Sequence, residues 1–172
     1  MIDSQAQDPL ARARALEAAA DARVYESDVE AAKVNYGWAI DTYLEQRAFD
    51  EAIRICRKLI RLAPDVVRTR YTLLFLLVGL GRYDEARPAL EEYVELVRRS
   101  GTRSYAVPRL QLLAHVTDDR ETSDRIVATL HRFGVGEAGE HVPARATSDT
   151  SPGEKERLQR WETLLPIALR DD

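Results

Sequence analysis

A repeated pentapeptide decides the fold of this chain. Residues 48–52 read AFDEA and residues 82–86 read RYDEA, so Ala52 and Ala86 lie 34 residues apart. Acidic residues suit the first turn of a helix, because they face the positive end of the helix dipole. A small residue such as alanine lets two helices cross closely. The repeat therefore predicts successive helical hairpins with a common period.

Hydrophobic periodicity predicts helices on both sides of this repeat. Apolar residues recur at three- and four-residue spacing, and proline, glycine or capping residues bound each segment. The expected helices cover residues 9–24, 28–46, 50–62, 67–79, 84–99, 105–116, 119–133 and 154–169. Ser27 followed by Glu30 predicts a capping box at the start of the second helix. We therefore expect an all-α fold.

The repeat resembles the tetratricopeptide repeat family, whose period is ~34 residues. The residues that match the family pattern are Tyr43, Ala52 and Pro64 in the first copy and Gly81, Tyr83, Ala86 and Tyr93 in the second. The resemblance implies a TPR-like solenoid of about three hairpins with an extra C-terminal amphipathic helix. The two central repeats also loosely resemble the bacterial transcriptional activation domain. That second likeness implies an alternative function as a transcription-regulatory module.

The pattern divides the chain into four segments. An N-terminal capping helix is expected within residues 1–27, and the TPR-like helical repeats within residues 28–133. Residues 134–153 are small, polar and interrupted by Gly and Pro, which predicts a flexible linker. Residues 154–172 carry the C-terminal amphipathic helix.

The resemblance implies that the first helix of each hairpin lines a groove that binds a partner peptide or helix. The positions that it assigns to this groove are Val34, Trp38, Asp41, Glu45, Arg68, Tyr71, Phe75 and Val78. Aromatic side chains often anchor such interfaces. Asp41 and Glu45 favour an apolar or mildly basic partner helix. The alternative is that some of these aromatics, Trp38 and Phe75 among them, are core residues.

The C-terminal helix has an apolar face that cannot be satisfied alone in water. This face consists of Leu158, Trp161, Leu164 and Leu165. We expect it to pack into the groove or on one end of the repeats, either within one chain or exchanged between two copies. A partner protein would then compete with it. The alternatives are a simple capping helix and a helix that lies on a membrane surface.

Composition excludes several classes of partner and compartment. Acidic residues outnumber basic ones by 29 to 25, so direct nucleic-acid binding is not expected. No segment approaches the ~18 apolar residues of a membrane span, and the first residues lack signal-peptide features. The one cysteine, Cys56, cannot form an internal disulfide. We expect a cytoplasmic protein, and the Arg-rich, Lys-poor usage suggests a bacterial one.

Catalytic, metal and cofactor sites are not expected either. His115, His131 and His141 lack metal-ligand spacing. Cys56 lies on an apolar helix face, as a core residue does. Residues 134–139 fit the dinucleotide pattern G-x-G-x-x-G, but they follow a helix instead of a strand. The sequence thus predicts a non-enzymatic adaptor that binds a protein or peptide without a cofactor, with self-association as an open question.

Overall fold

The structure is a computed structural model that describes residues 8–135 and 154–169 of the chain. Within these residues every regular element is an α-helix, and no strand is present. The helices are α1 Pro9–Tyr25, α2 Val29–Glu45, α3 Phe49–Leu62, α4 Val67–Gly79, α5 Tyr83–Ser100, α6 Arg103–Val116, α7 Arg120–Arg132 and α8 Glu154–Ala168. Every predicted helix is present, with bounds that differ by no more than two residues. The all-α, TPR-like fold class is confirmed.

The chain forms two compact units, residues 1–69 and 70–172, whose boundary lies inside α4. In the first unit α1 packs against α2, and α2 packs against α3. The only buried residues of α1 are Ala13 and Ala20, whose small side chains allow a close approach to α2. The larger core residues of this unit are Tyr36, Ile40, Tyr43, Ile53, Ile55, Cys56 and Leu59.

The second unit is built around α5 and α6. Helix α5 packs against α6 and α7, while α6 also packs against α7 and α8. Helix α4 joins α5 through the rings of Tyr71 and Tyr93, whose centroids are 5.8 Å apart. Arg70 and Glu92 pair at 2.6 Å beside them. The core of this unit includes Leu74, Phe75, Leu77, Leu90, Tyr93, Leu96, Val97, Leu110, Leu113, Ile126 and Leu130.

The turns after α2 and α4 share one backbone geometry. Arg47 and Gly81 both adopt left-handed conformations, with φ of 55° and 71°. In the first turn the Ala48 amide donates to the carbonyl of Tyr43 at 2.9 Å, and the equivalent bond after Gly81 is 2.8 Å. This is the Schellman arrangement, which uses up the last free carbonyls of a helix. The 34-residue period therefore extends to backbone geometry, and Ala52 and Ala86 are both fully buried.

The capping box predicted at the start of α2 is wrong by one residue. Asp28 caps the helix, and its Oδ1 accepts a hydrogen bond from the Ala31 amide at 3.1 Å. Ser27 instead takes the left-handed position of the preceding turn, with φ of 61°. Because Ser27 belongs to this turn, the residue that precedes the first turn of α2 is Asp28. A carboxylate at Asp28 also suits the helix dipole.

A charged cluster joins α1 to α3 in the first unit. Glu17 accepts two hydrogen bonds from Arg54, at 2.5 and 2.6 Å, and one from Lys58 at 2.8 Å. Lys58 also reaches Asp21 at 2.9 Å, and the Tyr36 hydroxyl donates to the same carboxylate. The hydrogen bonds from Arg54 lead the interactions that lower the pKa of Glu17 to about 2.

The left-handed turn predicts opposite effects for two glycine substitutions. Gly81→Ala should lower the free energy of unfolding by about 1 kcal/mol, because alanine disfavours the left-handed conformation. Gly37→Ala should raise it by roughly 0.5–1 kcal/mol, because Gly37 lies inside α2 and an added Cβ meets open space. Urea denaturation measures both variants. Effects of the same sign would show that the turn geometry is not as described.

The charged cluster predicts a stability difference that depends on pH. Glu17→Gln should cost on the order of 1–2 kcal/mol at neutral pH, allowing for screening around the half-exposed Arg54. A carboxylate with a lowered pKa stabilises the fold above its unfolded pKa, near 4.5, and this contribution disappears as the pH falls towards 2. The difference between wild type and variant should shrink over that window.

Glu26→Gln is the matched control for this measurement. Glu26 pairs with Arg23 at 2.9 Å on the exposed surface of α1, where such a pair contributes little. We expect a change of at most about 0.5 kcal/mol at every pH. Equal losses for the Glu17 and Glu26 variants would contradict a structural role for the cluster.

Candidate functional site

The first-copy groove positions form an exposed surface on α2. Val34 and Trp38 lie one helical turn apart, with 49% and 57% of their surface exposed. Asp41 and Glu45 continue the same face at helical spacing. Glu45 is exposed, and Asp41 is half-buried. We call these four residues the α2 patch: an apolar pair followed by two carboxylates.

Arg68 lies beside the acidic end of this patch within the first unit. Its Nη2 is 3.3 Å from Oδ1 of Asp41, and both side chains keep more than a third of their surface exposed. An ion pair with this exposure contributes little to stability. It does, however, restrain the two side chains at the edge of the apolar pair, and it leaves Glu45 as the outermost acidic group.

The second-copy groove positions, Tyr71, Phe75 and Val78, are buried in the second unit. The Tyr71 hydroxyl donates to the carbonyl of Arg109 at 3.1 Å, and its ring packs against Phe75 with centroids 5.9 Å apart. Burial raises the pKa of Tyr71 well above its ordinary value. A partner could bind at these three positions only if their side chains were accessible, and in this structure they are buried.

Trp161 of α8 covers Phe75. The two rings stack with centroids 5.6 Å apart and an angle of 25° between their planes. The indole Nε1 donates to the backbone carbonyl of Phe75 at 3.1 Å. Trp161 is completely buried. The C-terminal helix thus docks within its own chain, onto the first helix of the second repeat.

Gly79 provides the space for this indole. A Cβ built at Gly79 would overlap the Nε1, Cε2 and Cδ2 atoms of Trp161, so the ring lies directly against the helix backbone. We call the surface formed by Phe75 and Gly79 the α4 notch. The sequence does not predict this notch, because its pattern assigns Gly79 only to the end of a helix. The available signal was a glycine two positions before the turn glycine, Gly81, where the turn itself does not need one.

The other residues of the predicted α8 face are less enclosed. Leu164 and Leu165 are half-buried, whereas Ala168, which the prediction left out, is buried. The side chain of Leu158 lies outside the described residues. Trp161 makes both an aromatic contact and a hydrogen bond to α4.

The remaining sequence predictions concern chemistry. Cys56 is buried, and desolvation raises the pKa of its thiol to about 12, so it is no nucleophile at neutral pH. His115 and His131 are exposed, and no group of metal-ligating residues occurs in the part of the chain that the structure describes. Gly134 has a φ of 79°, and its amide donates to the carbonyl of His131 at 2.8 Å.

Gly134 and the buried Val135 thus close α7, although they are the first two residues of the predicted linker. The other residues of that linker, most of the G-x-G-x-x-G pattern and His141 lie outside the described residues. None of the described helices is long and apolar enough to cross a membrane.

Comparison with known proteins identifies the repeats. The model of the tetratricopeptide repeat family matches residues 43–103, which run from the end of α2 to the start of α6. No curated protein and no solved structure matches the chain. Tetratricopeptide repeats generally mediate protein–protein interactions and are not themselves catalytic. Over residues 43–103, this chain is similar to the tetratricopeptide repeat family.

Proposed function

We propose that this chain is a non-catalytic adaptor that binds a helix or peptide of a partner protein on the first helices of its repeats. The observation that carries the proposal is the exposure of Trp38 beside Val34 on α2. A large aromatic side chain is costly to leave in water, and an exposed aromatic next to an aliphatic residue is typical of interaction sites.

The charges of the α2 patch support a choice of partner. Glu45 is exposed next to the apolar pair. The carboxylate of Asp41 pairs with Arg68 and still keeps part of its surface exposed to solvent. Acidic groups at the rim of an apolar site attract basic partners and repel acidic ones. The partner chemistry that fits is an amphipathic helix with one apolar face and flanking Lys or Arg.

The full set of proposed contacts has two parts. Val34, Trp38, Asp41, Glu45 and Arg68 are accessible as the structure stands. Phe75 is a proposed contact only where α8 has been displaced, and Tyr71 and Val78 are proposed contacts only where the packing that buries them has opened. A cytoplasmic location, a bacterial origin, the stacking of the repeats into a solenoid and self-association remain predictions.

Loss of the aromatic anchor should weaken binding without unfolding the protein. For a partner captured from an extract of the source cells, Trp38→Ala should lower the affinity about 30-fold, the effect of a hot spot worth on the order of 2 kcal/mol. Because Trp38 is exposed, the melting temperature should hardly change. Isothermal titration calorimetry with the purified partner measures the affinity.

Tyr25→Ala is the matched control for this experiment. Tyr25 is an aromatic residue with 92% of its surface exposed at the end of α1, and it is not part of the α2 patch. Its variant should bind the partner as wild type does. If Trp38→Ala binds normally, or if both variants lose binding equally, the α2 patch is not the site.

Charge reversal at the rim should act mainly on the association rate. Glu45→Lys should slow association with a basic partner, and it should reduce the dependence of that rate on ionic strength, because a rim charge steers the encounter. Stopped-flow or surface plasmon resonance measurements at two salt concentrations test this. A faster association would indicate an acidic partner and contradict the proposed chemistry.

A further inference from the structure

Among the described side chains of α8, Trp161 is the one large side chain that is buried on the second unit. Of the described side chains of this helix only Trp161 and Ala168 are buried, while Leu164 and Leu165 keep part of their surface exposed, as does Leu169 just after the helix. By contrast, α2, α3 and α5 each bury at least five residues. On the evidence of its described side chains, α8 contributes few buried residues to the core, and a helix of this kind can detach without taking the core apart.

The sequence of α8 also makes it a weak helix by itself. Pro166 lies inside the helix and has no N–H, so it cannot donate the backbone hydrogen bond that another residue would donate at this position. Isolated helices of this length are marginal in water even with favourable sequences. The helical form of residues 154–168 therefore depends on what the helix is docked against.

The shape of the α4 notch and its hydrogen-bond acceptor fit an indole. The missing side chain at Gly79 gives room for a flat ring, and the Phe75 ring provides a face for stacking. The Phe75 carbonyl accepts the Nε1 proton. A buried phenylalanine in the same position would leave that acceptor without its indole donor, and a tyrosine would place its hydroxyl elsewhere. The three features together select tryptophan.

The side on which α8 packs distinguishes it from a simple cap. A helix that only caps the last hairpin packs on α6 and α7. Helix α8 packs on α6 and reaches α4, the first helix of the preceding repeat, through Trp161. It therefore occupies the first helices of two successive repeats, which is the face that the family uses for ligands.

We propose that the α4 notch is a recognition site for a tryptophan-bearing amphipathic helix of a partner protein, and that α8 keeps this site closed until such a helix displaces it. The partner helix would present a tryptophan followed by apolar residues three and four positions later, as Trp161, Leu164 and Leu165 do. This proposal rests on the proposed function, since it assumes that the chain binds partner helices. It concerns a surface that does not include Trp38.

The test measures whether α8 blocks its own site. The probe is a fluorescein-labelled peptide of residues 154–172, and fluorescence anisotropy reports its binding to the full chain. In wild type the tethered α8 acts at a high effective concentration, so the peptide should bind weakly. In the full-length Trp161→Ala variant the notch is vacant, and binding should be at least tenfold tighter.

Two controls make the result specific to the notch. The double variant Gly79→Ala, Trp161→Ala should not bind the peptide, because the alanine methyl fills the space of the indole. A peptide that carries Trp161→Ala should not bind the single variant. Equal binding to wild type and Trp161→Ala, binding to the double variant, or no binding to a folded Trp161→Ala chain would overturn the proposal.

A second measurement on the unaltered sequence covers the case in which Trp161→Ala does not fold. The chain has two tryptophans, so 5-fluorotryptophan labelling gives two ¹⁹F resonances, which the Trp38→Phe variant assigns. A millimolar excess of unlabelled peptide should move the Trp161 resonance towards that of an exposed indole and leave the Trp38 resonance in place. A Trp161 resonance that does not move overturns the proposal.

The experiments distinguish failure of the α4 notch proposal from failure of the α2 patch proposal. Trp38→Ala in the Trp161→Ala background should leave the peptide affinity unchanged, and failure of the peptide to bind leaves the α2 patch as a partner site. Concentration-dependent dimerisation of wild type that Trp161→Ala abolishes would identify the occupant as the α8 of a second copy. That result would overturn the choice of a partner protein.

Discussion

The left-handed residue that ends the first helix of a hairpin is the constraint on which the repeat architecture depends. Arg47 and Gly81 reverse the chain with the same hydrogen bonds, so the following helices begin at equivalent positions. Glycine adopts this conformation at little cost, whereas arginine adopts it against its intrinsic preference. The rest of the hairpin, including the buried alanine, therefore determines the turn as much as the turn residue does.

Helices and their ends could be predicted well because their signals are local. A proline or a capping carboxylate acts within one turn of the helix, as Asp8 and Pro9 do at the start of α1, where Asp8 accepts a hydrogen bond from the Leu10 amide. The one-residue error at Ser27 has the same origin. Both Ser27 and Asp28 are good capping residues, and only the backbone conformation decides which of them lies at the helix end.

The packing of Trp161 on Phe75 could not be predicted from local sequence patterns. Trp161 and Phe75 are 86 residues apart in sequence, and periodicity shows that each lies on an apolar face without showing which faces meet. The sequence left the docking of the C-terminal helix open between one chain and two. Exposure is equally ambiguous in the sequence, since both Trp38 and Phe75 fit either a groove or a core, and the structure exposes Trp38 and buries Phe75.

The two repeats carry different residues at two equivalent positions of their first helices. Asp41 and Glu45 of the first copy correspond, at the 34-residue offset, to Phe75 and Gly79 of the second. A stacking ring and a glycine accept an indole, whereas two carboxylates at the same positions would have to be desolvated beneath it. Helix α8 therefore fits the second copy and not the first. The α2 patch, with carboxylates where the α4 notch has a ring and a glycine, is therefore a surface of different chemistry from the notch.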